Sequence, residues 1–156
     1  KYGLMQGKGE KLFEPKQNIT RAEFATLLGR LLKLEPSTKA SQKFTDVRPD
    51  SWYYGYVMKC YEEGIILGKA EDEFKPNDYI TREEMAVMFQ RALALNTQED
   101  IAVKDIQEVS SWALPAIKAV MANQIMMGDN GVFSPKQKVT REMAAAVIVR
   151  VYERGE

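Results

Sequence analysis

Apolar residues return every three or four positions in five stretches of the chain, the spacing of a helix with one buried face. Three stretches are long. Phe24, Leu27, Leu28, Leu31 and Leu32 form the first; Met85, Met88, Phe89, Ala92 and Leu93 the second; Ala144, Val147, Ile148 and Val151 the third. Thr20 and Thr81 stand before the first two as N-caps, and Glu23 and Glu84 complete a Thr-x-x-Glu capping box. The third has Met143 where the box needs Glu, so its start is expected to be the weakest. Two shorter stripes read Trp52, Tyr56, Val57, Cys60, Tyr61 and Trp112, Ala116, Ile117, Val120, Met121. Ser51 and Ser111 are placed to cap them, and Pro115 falls in a first turn, where a missing N–H is tolerated. Gly64 suits the left-handed residue that ends a helix; Asn123-Gln124 stands there in the other stripe, with Asn the usual substitute.

The stripes belong to a repeat. Gly7, Phe13, Pro15, Ile19, Thr20, Arg21 and Arg30 recur 61 residues later as Gly68, Phe74, Pro76, Ile80, Thr81, Arg82 and Arg91. A further shift of 59 or 60 gives Gly128, Phe133, Pro135, Val139, Thr140, Arg141 and Arg150. Phe44-Thr45-Asp46-Val47 and Trp52 likewise match Val103-Lys104-Asp105-Ile106 and Trp112. Each unit reads as front helix, extended loop, back helix. The copies span 44–95 and 104–152, preceded by a back half alone at 1–34, with polar linkers between. In each loop a Phe is expected to pack on the core while a Pro stiffens the turn. A two-helix unit cannot bury both stripes alone, so the class is all-α, with the copies stacked around a shared axis.

Composition narrows the function. The 156 residues carry 22 Lys+Arg and 22 Asp+Glu, a balance that lacks the surplus basic charge of a nucleic-acid binder. With no histidine, Ser-His-Asp and Cys-His catalysis and imidazole-ligated zinc are excluded within this chain. Cys60 reads as a small buried apolar residue. The longest apolar run, Met143 to Val149, has seven residues and is too short to span a membrane. Glu62-Glu63 and Glu71-Asp72-Glu73 are not reproduced between copies and read as solvated faces, and Asp129-Asn130-Gly131 as a tight turn. The expectation is a non-catalytic module without a cofactor or a metal.

Arg21, Arg82 and Arg141 each follow a capping threonine and so open a helix, where the macrodipole is positive and disfavours a cation by about 0.3–1 kcal/mol. An anion would resolve the mismatch, gathered by helix N–H groups and a guanidinium fork. The alternative is that the arginines pair with acids such as Glu23, Glu83 or Glu142, or lie in solvent. Lys8 after Gly7 and Lys69 after Gly68 add positive charge beside the arginines of their own copies. Asp129 after Gly128 would pair with Arg141 or repel an anion there, which makes copy three the weakest expected site. Trp52 and Trp112 read as core before sugar contact; Tyr79, just ahead of Ile80-Thr81-Arg82, is a candidate groove wall.

The pattern Phe44-x-Asp46-Val47, Trp52, Gly64-Ile65, Gly68, Phe74-x-Pro76, Ile80-Thr81-Arg82-x-Glu84 resembles the S-layer homology (SLH) domain. Ile19-Thr20-Arg21-Ala22-Glu23 is that family's signature run, and copies two and three vary it. The resemblance implies a pseudo-threefold, all-helical spindle around a central bundle. It further implies an extracellular place in the cell wall or S-layer. The implied partner is secondary cell-wall polysaccharide, an anionic glycan often carrying a pyruvate ketal. It implies that Arg21, Arg82 and Arg141 bind the ligand and that Gly7, Gly68 and Gly128 line the grooves. The rival reading is a protein–protein module that self-associates through the incomplete first copy.

Overall fold

The computed structural model describes residues 14–41, 43–69, 71–96 and 99–154. Gly7, Lys8 and Phe13 therefore lie outside the described residues. Among these residues the protein is helical, with helices α1 (Arg21–Leu31), α2 (Tyr54–Glu62), α3 (Arg82–Leu93), α4 (Leu114–Ala122) and α5 (Arg141–Arg154). Short 3-10 turns at Ile106–Glu108 and Ser111–Ala113 precede α4, and the only extended pairing is a set of isolated bridges. The three long stripes are α1, α3 and α5; the two short ones are α2 and α4.

Both complete capping boxes form. Thr20 Oγ1 accepts from the Glu23 N–H while Glu23 accepts from the Thr20 N–H, and Thr81 and Glu84 do the same. At the third box Thr140 Oγ1 still accepts from the Met143 N–H at 3.2 Å, but the methionine has no oxygen with which to reciprocate. The front helices begin later than expected. Their N-caps are Tyr53 and Ala113, neither with a side-chain cap, because Ser51 and Ser111 are drawn into turns ahead of the α-helical ladder. Pro115 lies in the first turn of α4 as expected. Gly64 takes the left-handed conformation (φ 75°) after α2. After α4 that place falls to Gln124 (φ 60°) rather than Asn123, whose side-chain amide instead donates to the Ala119 carbonyl at 2.8 Å.

The loops of copies two and three are each fastened by an aspartate from the front half of the same copy. Asp46 accepts the N–H groups of Phe74 (2.9 Å) and Lys75 (2.8 Å), and Asp105 those of Phe133 and Ser134 (both 2.9 Å). Phe74 and Phe133 are buried in the core with Phe24, Phe89 and Ile80. Front and back helices pair across copies: α2 packs on α1 and α4 on α3, while α5 rests on α1.

A small ring of backbone bonds joins the copies. Ile19 N–H donates to the Val139 carbonyl (2.9 Å), Val139 N–H to Ile80 (3.0 Å), and Ile80 N–H to Ile19 (3.1 Å). All three side chains are essentially buried at this junction.

Candidate functional site

The back helices exchange their first turns with neighbouring loops. Arg21 and Ala22 N–H groups donate to the carbonyls of Asp78 (2.8 Å) and Pro76 (3.0 Å) of copy two. Arg82 and Glu83 donate to Gln137 and Pro135 of copy three, and Arg141 and Glu142 to Gln17 and Pro15 of copy one. These N–H groups are thus already satisfied, and the sequence expectation that they converge on a bound carboxylate is corrected.

The arginine side chains follow the same exchange. Arg21, 6% exposed, donates from Nε to the Phe74 carbonyl (2.8 Å) and from Nη1 to Glu84 (2.9 Å), with its guanidinium 4.8 Å from the Phe74 ring centre. Arg82 donates to the carbonyls of Phe133 (2.8 Å) and Met127 (3.0 Å) and lies 4.6 Å from the Phe133 ring centre. Arg141 is buried and pairs with Glu23 at 3.3 Å. Burial lowers the Arg21 pKa against the opposing charges of Glu84, Asp78 and Asp46; burial also lowers Arg82, opposed by Asp105. The Arg21 and Arg82 side chains thus serve the loop of the next copy, not their own, and Arg141 reaches an acid of copy one. Arg82 reaches the Met127 carbonyl, so the segment that continues into Gly128 and Asp129 lies against the arginine of copy two.

Beside Arg21 lies a cleft of about 480 Å³. Its charged groups are Arg21, Lys69, Arg91 and Glu84, three cations to one acid. Ile66, Leu67, Val87 and Met88 give it an apolar wall, Gly68 a turn, and Trp112 from copy three a rim. Gly68 sits at φ 99°, a conformation that other residues adopt only with strain. Gly128 meets a different limit, since a Cβ there would stand 2.7 Å from the Val132 carbonyl oxygen. Lys69 pairs with Asp78 at 3.1 Å and approaches Glu84 at 3.9 Å. The cleft therefore unites Arg21, Gly68 and Lys69, while Arg82 and Gly128 lie elsewhere and Tyr79, although 46% exposed, is not among its lining residues.

Two lining residues escaped assignment from sequence. Arg91 recurs in the repeat with Arg30 and Arg150, a signal that carried no role by itself. Trp112, expected in the core, is 58% exposed, and Trp52 is 66% exposed. Both tryptophans precede their helices, so counting them into a helical stripe gave them the wrong face.

A model of the S-layer homology domain matches residues 1–25, 43–86 and 104–145. The chain is 35% identical, over 97% of its length, to an amylopullulanase of Thermoanaerobacterium thermosulfurigenes, of which it covers 8%. It is 37% identical, over 93% of its length, to an endoglucanase of Bacillus sp. (strain KSM-635), of which it covers 16%. It is 33% identical, over 97% of its length, to the surface-layer 125 kDa protein of Lysinibacillus sphaericus, of which it covers 13%. The chain thus spans a small fraction of the relatives it matches.

Proposed function

Because this chain belongs to the S-layer homology domain family, we propose that it is a non-catalytic anchoring module that binds anionic secondary cell-wall polysaccharide, a pyruvylated sugar in particular. Its place is the cell surface, in the wall or the S-layer. The named enzymes and the surface-layer protein share this segment over a small part of their lengths, which fits a module attached to different cargoes. The ring through Ile19, Ile80 and Val139 supports a pseudo-threefold spindle of copies around a common bundle.

The observation that carries the reading is the cleft beside Arg21. Its cations outnumber its acids, and its apolar wall suits the less polar face of a sugar ring. Arg82 with Gly128, and Arg141, would mark the corresponding grooves of the other copies; the expected roles of Gly7 and Lys8 lie outside the described residues. Tyr79 would border such a groove from outside the cleft. Cosedimentation with purified sacculi, before and after hydrofluoric acid strips the attached polysaccharide, tests the reading. Binding is expected to disappear with the polysaccharide; binding that survives stripping overturns it.

One observation favours a second reading, a protein–protein module. Among the described residues α5 lacks the front helix that α1 and α3 receive from α2 and α4. Ala146 is accordingly exposed, whereas its counterpart Val87 is buried and Thr26 is too. Light scattering distinguishes the two: a dimer at micromolar concentration supports self-association through this face, and a monomer opposes it.

A further inference from the structure

Trp52 and Trp112 hold the same place in two copies and are both largely exposed, yet they are fixed in different ways. Trp112 sits in the 3-10 turn Ser111–Ala113, which packs on α3 and α4. Ser110, just before that turn, is tied twice to Glu83: its N–H donates to Oε1 at 3.0 Å and its hydroxyl to Oε2 at 2.7 Å. Lys136 donates to the same carboxylate at 2.8 Å and also to the Ser110 hydroxyl. Glu83 is 3% exposed and lies in the first turn of α3, so a buried acid of copy two holds together the front turn and the loop of copy three. None of these three residues lines the cleft beside Arg21.

The turn of copy two has no such tie. Ala22 stands where the tie needs an acid, and Asn77 where it needs a lysine. Asp50, the counterpart of Ser110, is exposed and pairs with Arg48, two residues before it. The Trp52 indole rests edge-on against its chain neighbour Tyr53, with ring centres 5.2 Å apart. Trp112 is therefore anchored from another copy, while Trp52 is held locally. A carboxylate out of water depends on its donors, and the three that meet Glu83 all come from copy three, so the acid and the turn are fixed only together.

We propose that Glu83 is a positioning residue: through Ser110 it sets where the Trp112 indole stands at the rim of the cleft, without touching ligand itself. Its bearing on binding rests on the saccharide reading above; its bearing on Trp112 does not. Holding an exposed indole in place before a ligand arrives removes part of the ordering cost of binding, so the tie acts by preorganisation and adds no contact of its own.

The test makes Trp112 the remaining indole with Trp52→Phe and reads it in the ligand-free protein by emission, anisotropy and acrylamide quenching. Adding Glu83→Ala, which copies the arrangement found at Ala22, is expected to shift the emission, lower the anisotropy and increase the quenching. Ser110→Ala, which keeps the N–H bond and loses the hydroxyl, is the milder change and is expected to fall between. In a Trp112→Phe protein, Glu83→Ala is expected to leave the Trp52 signals unchanged, which separates positioning from general loosening. On polysaccharide-bearing sacculi, Glu83→Ala alone is expected to bind about threefold to tenfold more weakly than wild type. Unchanged Trp112 signals in the folded variants, or equal changes at both indoles, overturn the positioning role. Wild-type affinity despite a loosened Trp112 overturns its link to binding. Wild-type binding that is indifferent to stripping the polysaccharide overturns the saccharide reading and that link with it, while the ligand-free signals decide the positioning role by themselves.

Discussion

Cys60 is fully buried, and desolvation, aided by the nearby charge of Glu63, pushes its thiol pKa up to about 12. A thiol reagent at mildly alkaline pH is therefore expected to leave the native protein unlabelled and to react fully in denaturant; rapid native labelling would contradict the burial. Asp105 behaves oppositely. Burial pushes its pKa upward, but the N–H groups of Phe133 and Ser134 and the charge of Arg82 prevail and hold it below the ordinary carboxylate value. Its contribution to stability is present above the unfolded-state pKa of about 3.9 and is lost as pH falls through the lower folded value. Asp105→Asn is expected to flatten the acid side of the melting-temperature profile, compared with wild type by calorimetry. Arg21 and Glu84 form the most enclosed ion pair described, with side chains 7% and 11% exposed. Glu84→Gln should cost about 3–5 kcal/mol in chemical denaturation, because it strands a buried guanidinium.

At the scale of the helices, α5 is the back helix whose capping box is incomplete. Met143 occupies the place held by Glu84 in α3, and Glu84 both closes its capping box and neutralises the arginine reaching in from another copy. The arginine reaching toward α5's loop is Arg82, which has carbonyl partners but, among the described residues, no carboxylate within ion-pair distance. Met143→Glu is thus expected to stabilise the protein by about 1 kcal/mol, seen as a raised melting temperature. A fall would mean that the partly buried methionine contributes more by packing. The two boxes were legible from Thr-x-x-Glu because capping is local and needs only four residues. The starts of α2 and α4 were not, since Ser51 is captured by a turn bonded to Arg48 and Ser111 by a 3-10 turn that Ser110 ties to Glu83, bonds that depend on the surrounding fold. Amphipathic spacing misplaced Trp52 and Trp112 for the same reason: periodicity carries no record of where the ladder begins.

Across the whole molecule, the repeat revealed the copies but not how they interlock. Glu83 illustrates what was hidden. It is 3% exposed and binds Ser110 and Lys136, both from copy three, and Glu142 pairs with Lys16 of copy one in the corresponding way. Where Ala22 replaces the acid, Asn77 replaces the lysine, a matching that becomes visible only once the partners are known to lie in different copies. Such interdependence predicts a single calorimetric transition and an isolated 44–95 segment that is unfolded by circular dichroism.

The handing of each back-helix arginine to another loop also changes how genetic dissection should be read. Excising any one unit takes a part out of the cleft beside Arg21, so a series of single-repeat deletions would report uniform loss even if that were the one groove occupied. Point changes are informative only when grouped by the cavity they meet: Arg21, Lys69 and Trp112 come from three successive copies, yet they belong on one line of such a table.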